Sequence, residues 1–196
     1  IVDDERLDIR LLETLVKSRR AEYIKGLADS NKSIPEDFYQ YFNIDILSKV
    51  VQENGSQVYQ TVKTPKIAFS RYGPLISEVT HLNNPLHSPY KIVNNHHFKF
   101  TGHGRFNRGL TYITYRDGKL FLKSNDGYLA YLDNIGVKAV LENPEEITEF
   151  NPDTSDYPLT FDAYEYIKKM ILSEDIMVFV SGKTDENSDS SGQIKQ

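Results

Sequence analysis

Residues 110–146, LTYITYRDGKLFLKSNDGYLAYLDNIGVKAVLENPEE, decide the fold. Leu110, Tyr112 and Thr114 alternate with Thr111, Ile113 and Tyr115. Asp117-Gly118 then interrupts, and Leu120 and Leu122 alternate with Phe121 and Lys123. Period-two alternation on both sides of Asp-Gly is how a β-hairpin is written, because a type I′ turn needs positive φ at both central residues. A second turn, Asn125-Asp126-Gly127, leads to Tyr128, Leu129, Tyr131 and Leu132, and residues 137–141 (VKAVL) add an apolar run of strand length. Three or more strands can share an apolar face where a lone hairpin is marginal. Nothing in the stretch is an obvious catalytic group.

Outward from this stretch, composition bounds the class. A chain of 196 residues, 39% hydrophobic and 26% charged, can bury the core of one or two globular units. No apolar run approaches the ~20 residues that cross a bilayer. Residues 1–10 (IVDDERLDIR) have neither the basic region nor the apolar core of a signal peptide, so the chain reads as soluble. It begins at Ile1 rather than Met, as a trimmed sequence would. Without cysteine there are no disulfides and no thiolate chemistry, which fits a reducing compartment. A net charge of -5 argues against bulk nucleic-acid binding.

Toward the amino end, Leu7, Leu11 and Leu15 lie beside Ile9, Leu12 and Val16, and Tyr23, Ile24 and Leu27 continue a helical stripe. Asp3, Asp4, Glu5 and Asp8 precede Lys17, Arg19, Arg20 and Lys25, a charge order that suits the helix dipole and makes Arg19-Arg20 a solvated helix face. Residues 30–33 and Pro35 end the helix. Residues 41–51 read as a strand, 53–56 as a loop, Val58, Tyr59 and Val62 as an extended piece, and 66–69 as a strand ended by Gly73-Pro74. Residues 83–89 are punctuated too densely for a regular element, and 96–101 are strand-like.

Charge is segregated along the chain. Between Glu78 and Asp117 there is no acidic residue, while Lys91, Lys99, Arg105, Arg108, Arg116 and all five histidines fall there. From Ala139 to Ile167 there is no Lys or Arg, but Glu142, Glu145, Glu146, Glu149, Asp153, Asp156, Asp162 and Glu165 occur. One basic and one acidic patch on the same chain is what head-to-tail assembly needs, because a heterologous interface joins two different surfaces. Subunit-interface candidates are therefore Lys91, Lys99, Arg105 and Arg108 on one side and Glu145, Glu146 and Glu149 on the other.

Enzymatic readings find little support. Adjacent His96 and His97 on a strand would point to opposite faces rather than converge on a metal. There is no Gly-x-Ser-x-Gly elbow, and Thr101-Gly102-His103-Gly104-Arg105 and Asn107-Arg108-Gly109 look like a phosphate-cradling loop only in their glycines, with neither a Walker nor a Gly-x-Gly-x-x-Gly pattern, so they read as a mobile loop. No catalytic, cofactor-binding or metal residues are assigned, and the chain reads as a non-enzyme. Basic and aromatic residues interleave at Phe98-Lys99-Phe100, Arg105-Phe106 and Tyr115-Arg116, which keeps a β-rich module for single-stranded nucleic acid or carbohydrate as the alternative.

At the carboxyl end, Asn143-Pro144-Glu145-Glu146 has the cap and proline of a short helix start. Thr160 caps a longer helix whose apolar face runs through Ala163, Tyr166, Ile167, Met170, Ile171, Met177 and Val178 to Gly182. Residues 183–196 (KTDENSDSSGQIKQ) have the composition of a disordered tail, held by a partner when ordered. Four parts follow: an amino-terminal helical segment (1–40), a β-rich domain (41–143), carboxyl-terminal helices packing on the first helix (144–182), and an extended partner-binding tail (183–196). The class is α+β, with terminal helices beside a mainly antiparallel β domain.

The helix with Arg20-Ala21-Glu22-Tyr23-Ile24, the strands at 41–51, 120–124 and 137–141, Glu142-Asn143-Pro144-Glu145-Glu146, and the last helix with its polar tail resemble the head-tail adaptor, or first ring protein, of crAss-like tailed phages. The resemblance covers most of the chain and is strongest at 110–149. It implies a podovirus-type connector: a virion protein of the head-tail junction, assembled in the host cytoplasm as a dodecameric ring. Such a ring docks on the portal, lets genomic DNA pass without tight binding, and attaches further ring or tail proteins, with no membrane involved. It also implies a carboxyl-terminal arm reaching the portal, with Lys183, Asp185, Gln193, Ile194 and Gln196 as candidate contacts. No catalytic residues come with the resemblance.

Overall fold

The computed structural model describes residues 9–51, 57–81, 89–101, 110–124, 129 and 131–175. Outside them lie the loops read at 53–56 and 83–88, the turn at 125–127, Arg105 and Arg108, the helix end at 176–182, and the tail 183–196. The hairpin forms as its sequence requires. Strands β7 (Tyr112–Arg116) and β8 (Lys119–Ser124) pair antiparallel around Asp117 (φ 53°) and Gly118 (φ 73°), so both central residues take the left-handed conformation. The turn is docked as well, for Thr64 N–H donates to the Gly118 carbonyl at 2.8 Å.

Around the hairpin, β1 (Tyr39–Val51), β2 (Gln57–Thr61), β5 (Ile76–Thr80), β6 (Lys91–Ile92) and β9 (Asn134–Val140) complete a seven-stranded sheet of order β5-β9-β1-β2-β8-β7-β6. Among the described residues every pairing in this sheet is antiparallel except β6 with β7. The two ends of that order meet, because Tyr90 N–H, next to β6, donates to Val79 O of β5 at 2.9 Å. This contact shields part of the two terminal strands, while Tyr39–Ile44 of β1 keeps one side unpaired among the described strands. The long first strand serves both halves: Tyr39–Asp45 pairs with β9, the register shifts between Ile46 and Ser48, and the rest pairs with β2. Phe42, Ile44, Tyr59, Val79, Ile113, Leu120, Leu122, Ile135 and Val137 fill the interior.

The helices cover one outer face. Helix α1 (Ile9–Asp29) buries Arg20, Ile24 and Ala28 at spacings of four, and ends where Asn31 takes φ 58°. Helix α3 (Phe161–Met170), continued by a π-helical turn (Ile171–Asp175), is capped as expected by Thr160, whose hydroxyl accepts from Ala163 N–H at 3.2 Å. Ile24, Phe38, Ala68, Val140 and Ala163 form a second core between helices and sheet, and Tyr23 meets Tyr166 at 5.2 Å between ring centroids. The expected start at Asn143-Pro144 is a single 3-10 turn, with the Asn143 side chain accepting from Glu145 N–H.

Several readings are corrected. Residues 96–101 do not form a strand: Asn94 accepts from His97 N–H at 2.9 Å and caps a single helical turn, α2 (Asn95–Phe98), so both histidines stand exposed on it. Gly73-Pro74 does not end a strand but forms β4 (Gly73–Pro74), which pairs with β3 (Phe69–Ser70). After the second turn, Leu129 and Leu132 are buried, while Tyr131 is 86% exposed. Strands β5 and β6 were not anticipated.

Candidate subunit-contact surface

The reading of Arg19-Arg20 as a solvated face fails at Arg20, which is 0% exposed. Its guanidinium donates to the carbonyls of Leu141 (2.7 Å), Pro158 (3.3 Å) and Glu142 (3.4 Å), and its carbon lies 5.9 Å from the Phe38 ring centroid and 5.7 Å from that of Tyr157. No carboxylate reaches it among the described residues. Three carbonyls and two aromatic faces take the place of a counterion, and the planar fork of arginine suits that many acceptors. Burial lowers its pKa to about 10, so it remains a cation at neutral pH. Arg20 thereby ties α1 to the end of β9 and to the segment around Pro158. Tyr157 responds in kind: burial raises its phenol, against the opposing pull of Arg20 and Lys17.

Held in place this way, residues 147–159 form one wall of a cleft of about 680 Å³, and β1 forms the other with Tyr39, Gln40 and Tyr41. Asp37, Glu149 and Asp156 give it three exposed carboxylates, and no cation pairs with them among the described residues. Phe150 and Tyr157 line it as an edge-on pair at 6.3 Å. Tyr41 is exposed on the outer side, with Lys138 5.0 Å from its ring centroid and paired to Glu36.

The candidates chosen from charge sort into two groups. Glu145 accepts from Lys17 at 2.8 Å, a bond that raises the lysine pKa, and Glu146 accepts from Lys66 N–H at 2.7 Å. Glu142 takes Lys66 Nζ at 2.6 Å. These acids face the chain's own cations, whereas Glu149 opens on the cleft. Lys91 and Lys99 are exposed around β6 and α2, on the wall separated from β1 by β2, β8 and β7 in the strand order. Among the described candidates, Lys91 and Lys99 therefore stand apart from the acids of the cleft. Arg20, Gln40 and Tyr157 escaped the sequence reading, although the spacing of Arg20 from Ile24 and Ala28 was the available signal. Among the described residues no group of His, Asp and Glu could hold a metal ion, and no helix is long and apolar enough to cross a membrane.

The described chain is a β module with helices on one face, an acidic cleft beside β1 and exposed lysines around β6 and α2. Residues 1–194 match the family model of phage tail ring protein 2, and the chain belongs to that crAss-phage family. It is thus a structural protein of the virion, a ring component of the phage tail, and membership is consistent with a non-enzyme. The sequence resemblance had pointed to the adaptor or first ring protein, whereas the matching family is ring protein 2; the shared content is a crAss-like phage ring protein. No curated protein matches the chain.

Proposed function

We propose that copies of this chain close into a dodecameric ring at the head-tail junction, a connector that docks on the portal, lines the DNA exit channel and attaches further tail proteins. The match of residues 1–194 to a tail ring family carries this reading. Charge segregation supports it: the run without acids and the run without bases meet between neighbours, with exposed pairs contributing ~0–1 kcal/mol each and fixing which surface meets which. Affinity comes from apolar area. Replacing Arg105 and Arg108 together by Glu is expected to slow ring assembly more at low salt than at high salt, because unscreened like charges then face each other. Light scattering at two salt concentrations measures this, and assembly indifferent to both the reversal and the salt would count against the contact. The channel is neutral or acidic in this reading, since each neutralised phosphate would add affinity and brake a moving duplex.

The tail 183–196 is the arm that reaches the portal, with Ile194 its one apolar residue. Ordering it costs ~1–2 kcal/mol of backbone entropy per residue, a cost that repeated arms around a ring meet together. Deletion after Gly182 is expected to leave the melting temperature unchanged and to cost attachment to purified portal in co-sedimentation. Undiminished portal binding by the shortened chain sinks the arm.

A further inference from the structure

The cleft beside β1 has two features that its own chain does not use. Over Tyr39–Ile44, β1 has β9 on one side, and among the described strands none pairs on its other side, since β2 takes up the register only at Ile46. Gln40 is 9% exposed, and its amide nitrogen donates to Pro144 O, but its Oε1 has no hydrogen-bond partner; nor has the buried hydroxyl of Tyr157. A buried polar atom without a partner carries a desolvation cost, and both residues line the cleft. Beside these atoms stand the carboxylates of Asp37, Glu149 and Asp156.

We propose that this cleft is the receptor half of the subunit contact, in which a strand-length basic segment of a second copy of this chain adds beside Tyr39–Ile44 with its cations against Asp37, Glu149 and Asp156. Strand addition adds main-chain hydrogen bonds to the apolar contact, and the rim supplies charge selection. Six residues of strand span ~20 Å, which a segment of similar length matches. The occupant follows from charge. The acid-free run between Glu78 and Asp117 is complementary to the rim, whereas the tail 183–196 carries three acids and two lysines and is not. Two described cations of that run, Lys91 and Lys99, sit around β6 and α2, on the wall away from β1, and a heterologous ring joins two such different faces of neighbouring copies.

The inference rests on the ring reading, and a mixing experiment separates the two. One full-length variant, Glu149→Lys/Asp156→Lys, loses the receptor and keeps the donor; the other, Arg105→Glu/Arg108→Glu, loses the donor and keeps the receptor. At low salt, where the reversed charges are unscreened, each alone is expected to remain monomeric by sedimentation, and an equimolar mixture to form heterodimers that grow no further, because one intact junction is left. In the mixture, amide exchange at residues 39–44 of the receptor-intact variant should slow on the order of tenfold. Heterodimer formation also shows that both variants fold. Rings formed by wild type and by both variants alike overturn the cleft as receptor while the ring reading stands, as does a mixture that stays monomeric. A heterodimer without protection at 39–44 overturns strand addition, and a wild type that never leaves the monomer overturns the ring reading itself.

Discussion

Replacing Arg20 by alanine is expected to lower the melting temperature of the full chain by about 6–12 °C. The change leaves three buried carbonyls, those of Leu141, Glu142 and Pro158, without their donor, and opens a void between Phe38 and Tyr157. A buried acceptor left unpaired costs about 1–3 kcal/mol, and relaxation with water entry recovers part, so a net loss of ~3 kcal/mol is reasonable. For a chain of this length each kcal/mol moves the midpoint by about 2–4 °C. Arg20→Met isolates the mechanism, because it restores most of the volume and removes the buried charge. If the donor is what matters, methionine recovers less than half of the loss; a methionine variant as stable as the wild type would show that packing alone fixes the seam. Calorimetry on the three chains decides between them.

Leu122→Ala is expected to cost about 2–5 kcal/mol and to loosen the whole sheet. Leu122 is fully buried in β8, opposite Tyr59 on one side and Ile113 on the other, so its removal leaves a hole where three strands share a core. The Arg20 variant should behave differently. It detaches α1 and the segment around Pro158 while the sheet keeps its pairing, so amide exchange in β7 and β8 should accelerate strongly for Leu122→Ala and little for Arg20→Ala. Equal acceleration in both would mean that helices and sheet unfold as one cooperative unit.

What was legible in the sequence is what local chemistry writes there. Asp117-Gly118 demanded a turn with positive φ, and Thr160 and Asn143 offered side-chain oxygens where helices begin. The failures have physical causes. Phe98, Lys99 and Phe100 mimic strand alternation, but Asn94 placed a cap three residues before His97, and that local hydrogen bond decides for a helical turn. Strand β5 buries only Val79 among Ile76–Thr80, and β6 has two residues, too few for a period to show. Arg20 was judged by its charge rather than by its place on the stripe with Ile24 and Ala28. The cleft joins residues near 40 to residues near 150, so no local pattern could contain it; the rim acids were visible only as part of a longer acidic run.

The central claim is that this chain works as one unit of a closed ring, and the mass of the purified full-length particle in solution tests it most directly. Native mass measurement over a range of protein and salt concentrations should give a single large closed species, dodecameric in the reading proposed here. A strict monomer under every condition would contradict it.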